Sequence, residues 1–173
     1  MDGWYRVSEM RLCTLLREER YMEYIVSLDL SLSNTGVAIF DYEGNCKKLL
    51  SIDTNKGDNH SLRLKRIEKA LKKIKKEYKP NLVLIEETHP QFANSARIIA
   101  MVRGVAILVF YNVEQITYQP TMIRKEVLGK GNAKKEELQN FILENYKDIK
   151  FDDLDQSDAF GLGLCYFKKK GII

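Results

Sequence analysis

Histidine and cysteine are scarce in this sequence: two histidines, His60 and His89, and three cysteines, Cys13, Cys46 and Cys165, with no Cys-x-x-Cys pair. A structural zinc site cannot readily be assembled from that set, and reduced, buried cysteines in an intracellular protein are expected. Long apolar runs are missing too; none approaches the roughly 18 residues of a membrane span. Residues 10–20 mix leucines with arginines and glutamates, so no signal peptide is expected. There is no internal repeat, low-complexity tract or Gly/Ser linker, and 173 residues suit one domain with a single sizeable core. Strong net charge is also absent: 28 Lys and Arg stand against 24 Asp and Glu, a balance of +4. That is compatible with a nucleic-acid partner without requiring one.

Residues 1–23 differ from the rest, with Ser8 placed to cap a short helix to Glu19 that carries Leu12, Leu15 and Leu16. They read as an N-terminal extension, either an add-on or sequence upstream of an internal start at Met22. The folded domain is expected over 24–173. Strands are expected at 24–30, 36–42 and 47–53, with Glu43-Gly44-Asn45 as the hairpin turn between the last two. A lysine-rich helix follows at 61–78, ended by Pro80. Residues 82–86 (LVLIE) form a short continuous apolar run, the pattern of a central strand buried on both faces. A long helix at 92–111, a fifth strand at 115–118, a short helix from Pro120 and helices at 133–146 and 155–169 complete the chain. The fold class is therefore α/β: a five-stranded mixed sheet, three antiparallel strands then parallel ones, with helices on both faces.

Acidic residues stand where an active site would use them. Asp29 lies near the end of the first strand and Glu86 ends the fourth. Asp155 and Asp158 are three residues apart, hence on one face of the last helix. Asp155 also suits a plain helix N-cap. Asp158 precedes AFGLGLCYF, which must pack on the core, so its carboxylate belongs at the edge of buried surface. If the helix crosses the sheet beside the first and fourth strands, four carboxylates converge. Unpaired they would raise one another's pKa; hard divalent cations relieve this, and oxygen-only ligands suit magnesium or manganese.

Five segments in order resemble one family, the RuvC-type Holliday junction resolvases of the RNase H-like superfamily, over residues 24–170. Asp29, Thr35 and Gly36 match its Asp-x-x-x-x-x-Thr-Gly; Ile85 and Glu86 match its Ile-Glu pair; Arg103 to Ala106 match its Arg-Gly-Val-Ala helix. VLGKGNAKK (127–135) is similar to its Val-x-Gly-x-Gly-x-Ala-x-Lys stretch, and DQSDAFGLGL (155–164) to its Asp-x-x-Asp-Ala helix. The resemblance implies a homodimer that binds a four-way DNA junction and hydrolyses two phosphodiesters in paired cuts. It implies Asp29, Glu86, Asp155 and Asp158 as ligands of two Mg2+ ions (Mn2+ possible), with Asp29 bridging and Lys135 assisting catalysis. Arg124 and Lys135 fall where the family carries phosphate-contacting basic residues. Lys130, Lys134 and Arg97 are further DNA-binding candidates. The family's junction-wedging aromatic has two candidates, His89 and Phe92. The loop before Arg103 is about one residue shorter than in bacterial members, and Leu30 replaces the usual proline. These departures look like phage-type or otherwise divergent members, so a cytoplasm, bacterial or of a phage-infected host cell, is the expected location. Neither a membrane nor a small-molecule substrate is expected.

Gly104, inside the long helix, costs about 1 kcal/mol relative to alanine. A close backbone approach is expected there, against the sheet on pattern alone or across the dimer axis on the family resemblance. Three other readings compete with this one. The first-strand motif also resembles a phosphate loop of actin-like ATPases and sugar kinases, but those need two related domains and a second Gly-rich loop. This chain is too short and has no Gly-Gly pair. A YqgF-type RNA nuclease would share the fold, but the Arg-Gly-Val-Ala and Asp-x-x-Asp-Ala segments favour the resolvase. The presence of all four acids disfavours a non-catalytic junction-binding module.

Overall fold

The structure is a computed structural model, and it describes residues 23–87 and 93–173. The expected helix at 8–19, and His89 and Phe92, lie outside the described residues. Five strands, β1 (Tyr24–Asp29), β2 (Asn34–Asp41), β3 (Cys46–Asp53), β4 (Leu82–Glu86) and β5 (Glu114–Tyr118), form one sheet in the order β3-β2-β1-β4-β5. β1, β2 and β3 pair antiparallel, whereas β4 pairs parallel to β1 and β5 parallel to β4. This is the mixed sheet expected. Among the described residues five helices flank it: α1 (His60–Tyr78), α2 (Ala93–Val109), α3 (Pro120–Leu128), α4 (Lys135–Asn145) and α5 (Leu154–Lys169).

Period-two alternation sorts the core into two layers. Val26, Leu28, Val37, Ile39, Val83 and Ile85 point to one face, where they meet Ile67 and Leu71 of α1 and Val102 and Ala106 of α2. Ile25, Ala38, Phe40, Leu82 and Leu84 point to the other, against α3, α4 and above all α5. α5 is buried along its whole middle, from Gln156 to Phe167. A helix buried all round lies inside the fold rather than on it, so its side chains are fixed by packing on several sides. α3 starts at Pro120, as proline at the first helical position allows, and the left-handed Gly129 (φ 78°) ends it.

The expectation of a close approach to the sheet at Gly104 is overturned. Among the described residues a Cβ built there meets nothing within 4 Å, because Gly104 sits on the outer face of α2. Around it Met101, Ile107, Leu108 (71% exposed) and Tyr111 (77% exposed), the last just past the helix end, leave an apolar stripe open.

Candidate active site

Strand parity decides where the first two acids point. Ile25, Ser27 and Asp29 share the face of β1 that looks at α5, and Ser27 Oγ donates to the Ala159 carbonyl of that helix (2.6 Å). Leu82, Leu84 and Glu86 share the same face of β4. Leu28 pairs with Ile85 in register, so Asp29 and Glu86 follow on adjacent strands and face the same way. Both are buried, each 7% exposed.

The second pair of acids arrives with the start of α5, which is tied to the sheet. Asp153, not Asp155, is the N-cap: its Oδ1 accepts from the Gln156 N–H (2.8 Å). The capping alternative for Asp155 therefore falls away. Asp153 Oδ2 accepts from Asn34 Nδ2 (2.8 Å) and Ser51 Oγ (2.6 Å), while Gln156 Nε2 donates to Ser51 Oγ (2.9 Å). Asp29, Gly36 and Ser51 are neighbours across three strands. At Gly36 a Cβ would collide with the Asp155 carbonyl, so glycine there lets the first turn of α5 sit flush on β2. Asp155 and Asp158 then face Asp29, and carboxylate oxygens of the three lie within 4.8 Å of one another. Glu86 shares the cleft wall but is not one of that trio.

Lys135, the first residue of α4, reaches into the middle. Its Nζ pairs with Asp158 Oδ2 and lies 3.6 Å from Asp29 Oδ2 and 4.0 Å from Asp155 Oδ1. Burial pushes Asp29 up to about 7, with Asp158 and Asp155 adding to the shift and Lys135 opposing it. Glu86 is pushed up to about 8 by burial, then by Asp29 and Asp158, against Lys135 and Arg124. Burial likewise raises Asp155 and Asp158, Lys135 opposing in each. Burial disfavours the charge on Lys135, but Asp29, Asp158 and Glu86 outweigh it and hold the ammonium above its ordinary pKa. The trio already gathers a cation, and its all-oxygen donor set fits a hard divalent ion.

Asp29, Glu86 and Asp155 open onto a cleft of about 530 Å3, also lined by Leu30, Ser31, Gln119, Thr121 and Arg124, while Asp158 lies buried behind them. Of the predicted basic residues, Lys135 and Arg124 are in the cleft. Lys130 is exposed and pairs with Glu137, and Lys134 is the exposed residue before α4, its N–H bonded to Glu137 Oε1 (2.9 Å). Arg97 is exposed on α2 and does not line the cleft. Sequence reading missed the Asn34–Ser51–Asp153–Gln156 clamp. A signal existed: an acid followed three residues later by glutamine is a helix-start pattern. Ser31, Gln119 and Thr121 carried no such mark. Arg103 braces the end of β4, donating to Thr117 Oγ1 (3.2 Å) beside Glu87 (3.7 Å).

The family model described as Crossover junction endodeoxyribonuclease RuvC matches residues 25–166. Relatives under that name include one from Alkaliphilus oremlandii, 33% identical over 153 residues, covering 82% of this chain and 91% of its own. Another, from Caldanaerobacter subterraneus, is 30% identical over 151 residues, covering 82% and 90%. Among solved structures, T. thermophilus RuvC in complex with Holliday junction substrate superposes with a TM-score of 0.74 at 16% identity, covering 86% of this chain and 94% of its own. The yeast mitochondrial Holliday junction resolvase Ydc2 gives 0.64 at 9% identity, covering 94% and 87%. Those two likenesses show a shared RNase H-like fold. With the family match running from residue 25 to 166, through the five strands and into the last helix, and with relatives of that name 30–33% identical over more than four fifths of the chain, the chain belongs to the RuvC family of crossover junction endodeoxyribonucleases.

Proposed function

We propose that this protein resolves four-way DNA junctions as a homodimer, each subunit hydrolysing one phosphodiester with two Mg2+ ions (Mn2+ serving as well) held by Asp29, Glu86, Asp155 and Asp158. The observation that carries this reading is the convergence of three carboxylates, buried Asp29 and Asp158 and half-buried Asp155, around the Lys135 ammonium. Divalent ions bound there would supply a nucleophilic water at neutral pH and charge relief on the phosphorane. Asp29, in the trio and beside Glu86 on the adjacent strand end, would be the ligand shared by both ions. Lys135 neutralises the trio, and with metal bound its ammonium would be available to a phosphate oxygen at the cleft. Arg124 lies on the same wall to hold the strand, with Lys130, Lys134 and Arg97 as outer phosphate contacts. Binding should therefore weaken steeply with salt.

The resolvase names of the relatives support a branched substrate. Support for the dimer comes from the α2 stripe: Met101, Gly104, Ile107, Leu108 and Tyr111 form an exposed apolar surface with a glycine at its centre, where a second helix can approach closely. Asp29→Asn is expected to abolish cleavage while leaving junction binding measurable. The assay sets labelled four-way junction, linear duplex and RNA–DNA hybrid side by side with Mg2+ or Mn2+. Paired symmetric nicks confined to the junction are expected; cutting of the hybrid alone would sink the proposal in favour of an RNA nuclease, and binding without cutting in favour of a non-catalytic module.

A further inference from the structure

The loop joining β1 to β2 contains no glycine or proline, yet Leu30 and Ser31 form part of the cleft wall. Beside one internal bond, from the Ser33 N–H to Ser31 Oγ (3.3 Å), its shape is held from outside. Leu30 and Leu32 are buried in the layer beneath α1 and α2. From β2, Thr35 donates its hydroxyl to the Ser31 carbonyl (2.7 Å) and accepts from the Ser31 N–H (3.2 Å). From the end of β3, Thr54 donates its N–H to the Ser33 carbonyl (3.0 Å) and its hydroxyl to the Leu32 carbonyl (2.5 Å). Arg63 of α1 then grips both sides: Nε donates to Thr54 Oγ1 (2.8 Å) and Nη2 to Ser33 Oγ (3.0 Å).

Arg63 is only 8% exposed, and among the described residues it pairs with no carboxylate. A guanidinium buried against hydroxyls alone is a costly way to fill space, and an apolar side chain would pack there more cheaply. Its bonds all lead to the loop that begins directly after Asp29. We propose that Arg63 is a positioning residue for phosphodiester cleavage, holding residues 30–33 through Ser33 and Thr54 so that Asp29 and Ser31 keep one placement in the cleft. The inference rests on the nuclease reading above. A displacement of about 1 Å in a catalytic group can cost on the order of 100-fold in rate.

Arg63→Met tests it through three measurements: single-turnover cleavage of a saturating four-way junction, junction affinity, and amide hydrogen exchange at residues 31–33. The expected result is a cleavage rate lower by about tenfold or more, unchanged affinity, and faster exchange at 31–33 with β1 protection intact. Arg63→Lys keeps the charge and one donor group and should recover part of the rate. If Arg63→Met does not fold, Thr54→Val removes the shared hydroxyl at nearly constant shape and should show the same split. A folded variant that cuts at the wild-type rate, or whose loss of rate is matched by loss of affinity, overturns the proposal. Wild-type protein that cuts no junction would instead sink the nuclease reading; the exchange data then stand alone, and unchanged protection at 31–33 in the variant overturns the clamp.

Discussion

Asp29 and Glu86 sit where a carboxylate is hardest to ionise, buried on adjacent strand ends and close to Asp158. Their pKa values rise from 3.8 and 4.5 to about 7 and about 8, so the folded protein holds protons that the unfolded chain has released. The sign is fixed by that difference. Below the unfolded values the two groups cost the fold nothing; the cost grows as pH rises and is complete above the folded values. The melting temperature of metal-free protein should therefore fall between about pH 4 and about pH 8, and Asp29→Asn should flatten that fall. Added Mg2+ should raise it most at the alkaline end, because a ligand of the native state stabilises by mass action. Thermal melts across pH check this; wild-type and Asp29→Asn curves that run parallel would contradict it.

The start of α5 carries two of the four acids, so the anchoring of one helix end is also the anchoring of the site. Asp153→Ala removes the cap and its two sheet contacts, and should cost about 1–2 kcal/mol. In a chain of this size that is a drop of several degrees in melting temperature. Cleavage should fall further than stability alone explains, since Asp155 and Asp158 ride on the freed turn; Asp153→Asn, which still caps, is the control. Gly36→Ala should act more severely, because its new methyl must push the Asp155 carbonyl, and the helix with it, off β2. A Gly36→Ala protein with normal melting and normal cleavage would show that α5 can yield there.

For the molecule as a whole, the α2 stripe gathers four exposed large hydrophobic side chains, Met101, Ile107, Leu108 and Tyr111, on one surface. Leu108→Glu places a charge at its most exposed helical position, away from every core contact. The proposed dimer should then sediment as a folded monomer, with paired cuts replaced by single, unlinked nicks. Unchanged dimerisation would move the interface elsewhere.

Local patterns made much of this legible beforehand. The β-rich run around Asp29 and the apolar run before Glu86 placed both acids at strand ends, and the three-residue spacing of Asp155 and Asp158 put them on one helix face, because these follow from local backbone geometry. The same local rules could not separate Asp153 from Asp155 as the cap, since either fits the start of a helix. They left Lys135 one lysine among several in a charged run, and they suggested a packed Gly104 where the structure has open space. Those points depend on how α4 and α5 seat on the sheet, on contacts such as Gly36 with Asp155 and Ser51 with Asp153 that join residues more than 100 positions apart. The sequence by itself determined which acids are available and which way each element turns them; only tertiary packing, which sets the distances between elements, decided that three of them share one ammonium.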